Sequence, residues 1–502
     1  TMIEKLDKGQ EEALYAEPGR PMLVTGPARS GKSFALILRA TWLIRQRLLK
    51  GKKLLFLTEG LWGMEMATGL LGQFLSVEEQ DLVDVMPFND LFRDAWMRIS
   101  PDTRVKGLTG VLHRPRFHVG FPKEFYNANK HSVHQEASLT FDRAFHKSPR
   151  IGGLSEHAAR REFTDILMEW DIRSLDDYLA QPRPALFGTL SDEDKVELWN
   201  RVFGPALEAT KTRATRRSAR DCAAELNLLT ELVLAGKKAN KDAALWSGRY
   251  GAVIVDDAQN LSPSALRFLK ALASEGNLVL ASNRLETLNQ PAATLAECGI
   301  DVRGRVFRMD RNHSKASGAL QTYARNLVEG QTFTEMDGTP AALPAPVAPS
   351  GAMPQERTFA DREAMLDAIA AWLKEGYTPK QGFGACVVTR LETAQWPLIQ
   401  DLGTRGIPCV PNPTDDWVIP LYTQGIEFHT VTGAHIGRMV TILDDWLDAQ
   451  WDESQEGDPA ALRARAQWAL QALHATLTRA EKRVLIVSSN GLTVSKLKEE
   501  AQ

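Results

Sequence analysis

Residues 25–36 read TGPARSGKSFAL and follow directly on the apolar run Met22, Leu23, Val24. Gly26, Gly31, Lys32 and Ser33 fit the spacing G-x-x-x-x-G-K-[ST]. In such a loop, glycine-permitted backbone N–H groups face phosphate oxygens and the helix that follows points its positive end at them. The flanks agree: a strand-like apolar run precedes the loop, and SFALILRATWLI, with helical periodicity, follows it. Lys32 is then placed to reach the β- and γ-phosphates of a nucleotide, and Ser33 to ligand Mg²⁺.

A site of this kind needs a second half, an apolar strand ending in acid, because the metal requires a carboxylate near Ser33 and the attacking water requires a base. The stretch YGAVIVDDAQN supplies it. Ala252 to Val255 read as a strand buried on both faces, with Asp256 in the place of the metal carboxylate and Asp257 in that of the base. Taken alone, two adjacent aspartates also suit a solvated strand end. Further buried-type runs, KLLFLT and NLVLAS, alternate with helical patterns, and after VFRMDRN the pattern restarts with GACVVT, MVTILDD and RVLIVSS. Two doubly wound parallel sheets are the natural reading, an α/β fold class.

In their order along nearly the whole chain these segments resemble those of the UvrD/Rep-type superfamily 1 DNA helicases. LDKGQEEAL is similar to the family's adenine-reading segment, with Gln10 on its glutamine. VDDAQN stands for the D-E-x-Q box and carries Gln259, RNHSKAS for the N-Y-R-S segment, and TQGIEFHTV for the K-G-L-E-F segment. LHATLTRAEKRVLIV is similar to the last motif, with Arg479 on its arginine finger. The resemblance implies ATP and Mg²⁺ as cofactors and two RecA-like motor domains with the nucleotide between them. Phe34 and His313 are then expected to sandwich the adenine, Glu427 to lie near the ribose, and the motor to run 3′ to 5′ on DNA. The implied layout is a first motor domain over 1–90 and 226–304, a mainly helical insertion over 91–225, and a second motor domain over 305–502. The family's second insertion is missing, because Cys409 to Thr423 cross its place in a few residues. PAALPAPVAPSGAMP, from Pro340, reads as an extended, proline-stiffened surface connection.

Several positions depart from the family pattern. Asp257 is one methylene shorter than the usual glutamate, and Ser314 stands where a second phosphate-sensing arginine is expected, with Arg311 and Lys315 close by. Leu57 replaces a stacking aromatic, and Gln424 replaces a lysine. Asn283, Glu286 and Asn289 replace an acid, a glutamine and an aromatic. These changes remove stacking platforms and phosphate contacts, the terms that hold single strands. The mixed basic and aromatic stretch with Arg114, Arg116, Phe117, Phe121, Lys123, Phe125, Tyr126 and Lys130, and the run with Lys211, Arg213, Arg216, Arg217 and Arg220, suit DNA contact. They equally suit core packing and a solvated helix face. His113, His118, His131 and His134 lack an established metal-ligand spacing.

Composition sets outer limits. A net charge of −3 over 502 residues gives no global attraction to polyanions. The four cysteines, Cys222, Cys298, Cys386 and Cys409, form no C-x-x-C pair, which fits a reducing compartment, and no run is long enough to span a bilayer. The expectation is a cytoplasmic ATP-dependent translocase or helicase acting on single-stranded or partly duplex DNA, in repair or in defence against foreign DNA, with a protein partner that activates or uses the motor. The competing expectation is a nucleotide-gated binding subunit with weak turnover. A kinase or GTPase with a similar loop would leave the last motif unexplained.

Overall fold

The computed structural model describes residues 6–58, 61–99, 133–211, 222–236, 241–287, 293–375, 383–390, 394–407, 409–410, 419–423, 435–447 and 457–502. Its strands are β1 (Met22–Thr25), β2 (Leu54–Thr58), β3 (Val83–Pro87), β4 (Arg150–Ile151), β5 (Leu154–Ser155), β6 (Ala252–Val255), β7 (Leu278–Ser282), β8 (Val306–Arg308), β9 (Gln355–Thr358), β10 (Phe383–Thr389), β11 (Cys409–Val410), β12 (Ile419–Thr423), β13 (His435–Ile442) and β14 (Ala480–Ser488). Among the described residues the chain is α/β, with two six-stranded sheets, ordered β3-β2-β6-β7-β1-β8 and β11-β12-β10-β13-β14-β9, and a separate β4-β5 pair. Every pairing within the two six-stranded sheets is parallel.

Parallel sheets need cover on both faces, and the side-chain alternation shows how it is provided. In β2, Leu55 and Leu57 enter one core while Leu54 and Phe56 enter the other, and β6 divides Val253 and Val255 from Ala252 and Ile254 in the same way. In the second sheet, β10 sends Cys386 and Val388 to one side and Ala385 and Val387 to the other. Each such fully buried leucine or valine stabilises the fold by roughly 1.5–3 kcal/mol. Both faces being apolar, these strands read as unbroken hydrophobic runs.

Two expected domain boundaries shift. The helix Phe88–Ile99 crosses residue 90, but its Leu91, Phe92, Ala95, Trp96 and Ile99 pack in the core of the first sheet, so that unit continues to Ile99. The boundary at 305 also falls too early, because β8 pairs with β1 and closes the edge of the first sheet. The chain then passes to the second unit with the helix Gly318–Val328, whose Leu320, Ala324 and Leu327 join the second core. It returns to the first with Met336 before reaching β9. Glu335 fixes that return. Its buried carboxylate accepts from Thr25 Oγ1 (2.9 Å), Ser282 Oγ (2.5 Å), Arg284 N (3.3 Å) and Met336 N (2.8 Å), at the carboxyl ends of β1 and β7.

Between β3 and β6 lies a mainly helical region with its own aromatic core of Phe141, Phe145, Phe163, Tyr178 and Phe203. It holds a buried ion pair, Arg183 to Glu162 at 2.9 Å. It is tied to both units. Glu169 accepts from Ser264 N and Oγ (3.2 and 2.6 Å) at the start of the helix Pro263–Leu272. Asp458 accepts from Thr189 N and Oγ1 (2.7 and 3.0 Å) while its other oxygen caps the helix Pro459–Leu477. Among the described residues, no helix is long and apolar enough to cross a membrane.

Candidate nucleotide site

The site is assembled at the carboxyl ends of β1, β6 and β7. Strand β1 delivers the loop and the helix α2 (Lys32–Arg45) leaves it, with Gly31 as N-cap at φ +87°, a backbone state that glycine adopts without strain. Gly26 is required for a different reason: a Cβ there would lie 2.3 Å from the Met309 carbonyl oxygen, which the chain after β8 presses against the loop. Lys32 is buried at the mouth of α2, and its Nζ donates to the Gly26 and Pro27 carbonyls at 2.9 and 3.0 Å. The lysine is thus folded onto the loop's own acceptors. Ser30 Oγ, fully buried in the same loop, has no hydrogen-bond partner among the described residues.

Strand β6 brings the carboxylates. Ser33 stands close enough to the Asp256 carboxyl to favour its charged form, so these two residues, far apart in sequence, are neighbours here. Burial first, and the neighbouring Asp257 charge second, raise the Asp256 pKa from 3.8 to about 7, against the opposing pull of Ser33 and Lys32. Among the described residues, no group of three or more His, Cys, Asp or Glu side chains is gathered to hold a metal. The donor set here, one hydroxyl and one carboxylate, is what Mg²⁺ takes when phosphate oxygens and water complete its shell. The residues therefore fit a magnesium–nucleotide complex and not a free-standing metal centre.

Asp257 adopts the left-handed conformation, φ +55° and ψ +41°, a state that aspartate tolerates better than most side chains. Gln259 is fully buried and orients it: Gln259 Nε2 donates to Asp257 Oδ1 at 3.2 Å, and Gln259 Oε1 accepts from Asn283 N at 3.1 Å. The amide therefore couples the carboxylate to the end of β7.

The base-side residues converge only in part. Gln10 lies in the helix α1 (Lys8–Tyr15), where Asp7 and Gln10 form a capping box: Gln10 N donates to Asp7 Oδ1 (2.8 Å) and Asp7 N to Gln10 Oε1 (3.2 Å). Its Nε2 is turned to Gly31, 2.3 Å from where a Cβ on that residue would stand, with the His313 ring at 3.6 Å from the same point. His313 is anchored by its backbone N–H to the Arg29 carbonyl at 2.8 Å. The Phe34 ring packs on Phe74 with centroids 6.1 Å apart. Glu427 lies outside the described residues, as do Gln424, Asn289, most of the basic and aromatic stretch at 113–134, and Arg213 to Arg220.

Arg479 comes from the second unit, two residues beyond the helix Pro459–Leu477. It forms a buried ion pair with Glu286, Nη2 to Oε1 at 3.0 Å, and Thr478 Oγ1 donates to the same oxygen at 3.0 Å. Arg29, in the phosphate loop, is close enough to sense this pair. Burial lowers its pKa most, the Arg479 charge lowers it further, and Glu286 and Glu481 oppose both. Arg29 was not singled out by the sequence, because it occupies a variable position of the loop motif. Glu335 was also missed. Leu57, at the expected stacking position, is buried in the core and offers no platform.

The Asp256 shift gives a test with a definite sign. A carboxyl whose folded pKa is raised contributes stability that is fully present below its unfolded value and lost as pH rises through the folded one. Metal-free protein is therefore expected to lose melting temperature as pH rises from about 4 to about 7, and Asp256→Asn to flatten that loss. The same variant is expected to abolish the stabilisation that Mg²⁺ with nucleotide adds to the wild type. Thermal melts across pH, with and without Mg²⁺ and nucleotide, read both effects; an Asp256→Asn protein still stabilised by Mg²⁺–nucleotide would remove this carboxylate from the site.

No family model matches the chain, and no curated protein matches it.

Proposed function

We propose that this protein is an ATP-driven motor of the UvrD/Rep type, with two RecA-like domains that close on Mg²⁺–ATP and move along single-stranded DNA. The observation that carries the reading is that Arg479, from the second unit, lies within electrostatic reach of Arg29 in the phosphate loop, the loop that Lys32 is folded onto and beside which Ser33 and Asp256 are neighbours. Three cations from two units around one phosphate loop are suited to a phosphoryl group whose charge must be stabilised while the units approach.

Mg²⁺–ATP, when bound, would supply the phosphoanhydride to be cleaved and a cation to offset the charge that develops on it. The chain's own residues do the rest. Lys32 would leave the Gly26 and Pro27 carbonyls to contact phosphate oxygens, Ser33 and Asp256 would hold the metal, and Asp257, oriented by Gln259, would take the proton of the attacking water. Arg479 contributes from the opposite unit, which makes turnover depend on their mutual approach.

A second reading is favoured by the burial of Leu57 and by the engagement of Arg479 with Glu286: a nucleotide-gated subunit that binds DNA or a protein and turns over slowly. Steady-state ATP hydrolysis with and without single-stranded DNA separates the two. The motor is expected to be stimulated at least about tenfold, with the stimulation lost in Lys32→Ala. Hydrolysis indifferent to DNA would exclude an autonomous motor and favour the gated subunit.

A further inference from the structure

The Glu286–Arg479 contact joins two residues on opposite units, and it is built as a specific device. Glu286 ends the short helical turn Arg284–Glu286 that follows β7, at 2% exposure, and Arg479 is 8% exposed. One carboxylate oxygen, Oε1, receives both Arg479 Nη2 and Thr478 Oγ1, each at 3.0 Å. The same turn is held to the second unit a second time, by Gln471 Nε2 donating to the Arg284 carbonyl. Arg29 of the phosphate loop stands within electrostatic reach of Glu286 and Arg479 together. The carboxylate therefore sits in a ring of donors beside the loop, where an anionic phosphoryl group would otherwise satisfy them.

We infer that Glu286 is a displaceable stand-in for the γ-phosphate: it holds Arg479 when no triphosphate is bound and must release it when one binds, so that it sets the protein's preference between triphosphate and diphosphate. The inference rests on the nucleotide reading above and adds to it a positioning residue, acting through Arg479. A diphosphate does not compete for Arg479 and leaves the pair intact, whereas a triphosphate must break a buried, charge-assisted contact. A glutamine at the same place keeps the size and an acceptor oxygen but loses the charge that makes the contact hard to break.

Binding of a fluorescent non-hydrolysable ATP analogue and of fluorescent ADP is measured, without DNA, for wild type, Lys32→Ala, Glu286→Gln, Thr478→Ala, Arg479→Ala and the double variant Arg479→Ala/Glu286→Gln. The expected result is a rise of about tenfold in the triphosphate-to-diphosphate affinity ratio for Glu286→Gln. Thr478→Ala, which removes only the second donor to Oε1, is expected to move the ratio the same way by a smaller factor, and it serves should Glu286→Gln fail to fold. Adding Glu286→Gln to Arg479→Ala is expected to change nothing further. An unmoved ratio in the single variants, or an undiminished gain in the Arg479→Ala background, overturns this inference and leaves the nucleotide reading standing. Wild type that binds neither nucleotide, indistinguishable from Lys32→Ala, overturns both.

Discussion

Arg479→Ala is expected to lower the rate of ATP hydrolysis by about 10³-fold to 10⁵-fold, the range that removal of a phosphate-contacting arginine commonly spans. Nucleotide affinity is expected to change far less, because Lys32, Ser33 and Asp256 all belong to the first unit. The variant also takes from Glu286, a carboxylate 2% exposed, its ion-pair partner, while the Thr478 bond stays. Removing one partner of a buried ion pair destabilises by about 3–5 kcal/mol. A lowered melting temperature is therefore expected alongside the lost activity. Arg479→Ala/Glu286→Gln separates the two effects: it relieves the uncompensated charge and restores much of the melting temperature, while hydrolysis stays lost. Recovery of hydrolysis in the double variant would show that Arg479 acts through the fold and not on phosphate.

Lys32→Ala is expected to cost about 10²-fold to 10³-fold in hydrolysis, the usual effect of losing one preorganised electrostatic donor. Here stability is expected to hold. The lysine's bonds are to two loop carbonyls, Gly26 and Pro27, and the buried Asp256 carboxyl, which senses its charge, takes up a proton more readily once the lysine is gone. The two variants are thus expected to fail differently. Lys32→Ala gives a folded protein with weakened nucleotide binding, and Arg479→Ala gives a less stable protein that still binds. Equal melting temperatures for the two variants would contradict the burial of the Glu286–Arg479 pair.

The parts of this molecule that were legible in its sequence are those where one local pattern suffices. The loop at Gly26–Ser33 has a fixed spacing, and β2, β6 and β7, with the later residues of β10, β13 and β14, are buried on both faces, so both were visible as runs. β9 reads Gln-Glu-Arg-Thr with all four residues exposed, and it becomes a strand only because the edge of β14 is there to pair with it. β3 is half-buried, and its alternating VDVMP is short. The site was legible residue by residue but not in its pairings. Nothing at Glu286 indicates that Thr478, 192 residues on, bonds to it, nor that Arg479 does. The Asp7–Gln10 capping box is legible in LDKGQ as the D-x-x-Q spacing, and it engages the oxygen of the same side chain that the family resemblance assigns to base reading. Glu335 lies in TFTEMDGTP, a segment with neither helical nor strand periodicity, so only the folded chain reveals that four donors surround it.

The return of the chain to the first sheet at Glu335 and Met336 has a consequence for the order in which this protein is made. Thr25, Ser282 and the Arg284 N–H are buried at the ends of β1 and β7, and their acceptor is translated only after the helix Gly318–Val328, which belongs to the other unit. Each buried donor left without a partner costs about 1–3 kcal/mol. Met336 likewise enters the first core late, and its carbonyl accepts from Leu295 N at 2.7 Å. A nascent chain that has emerged only as far as β8 holds all six strands of the first sheet and still cannot complete it. The two halves of this molecule are therefore not made one after the other: the first closes only when the second has begun.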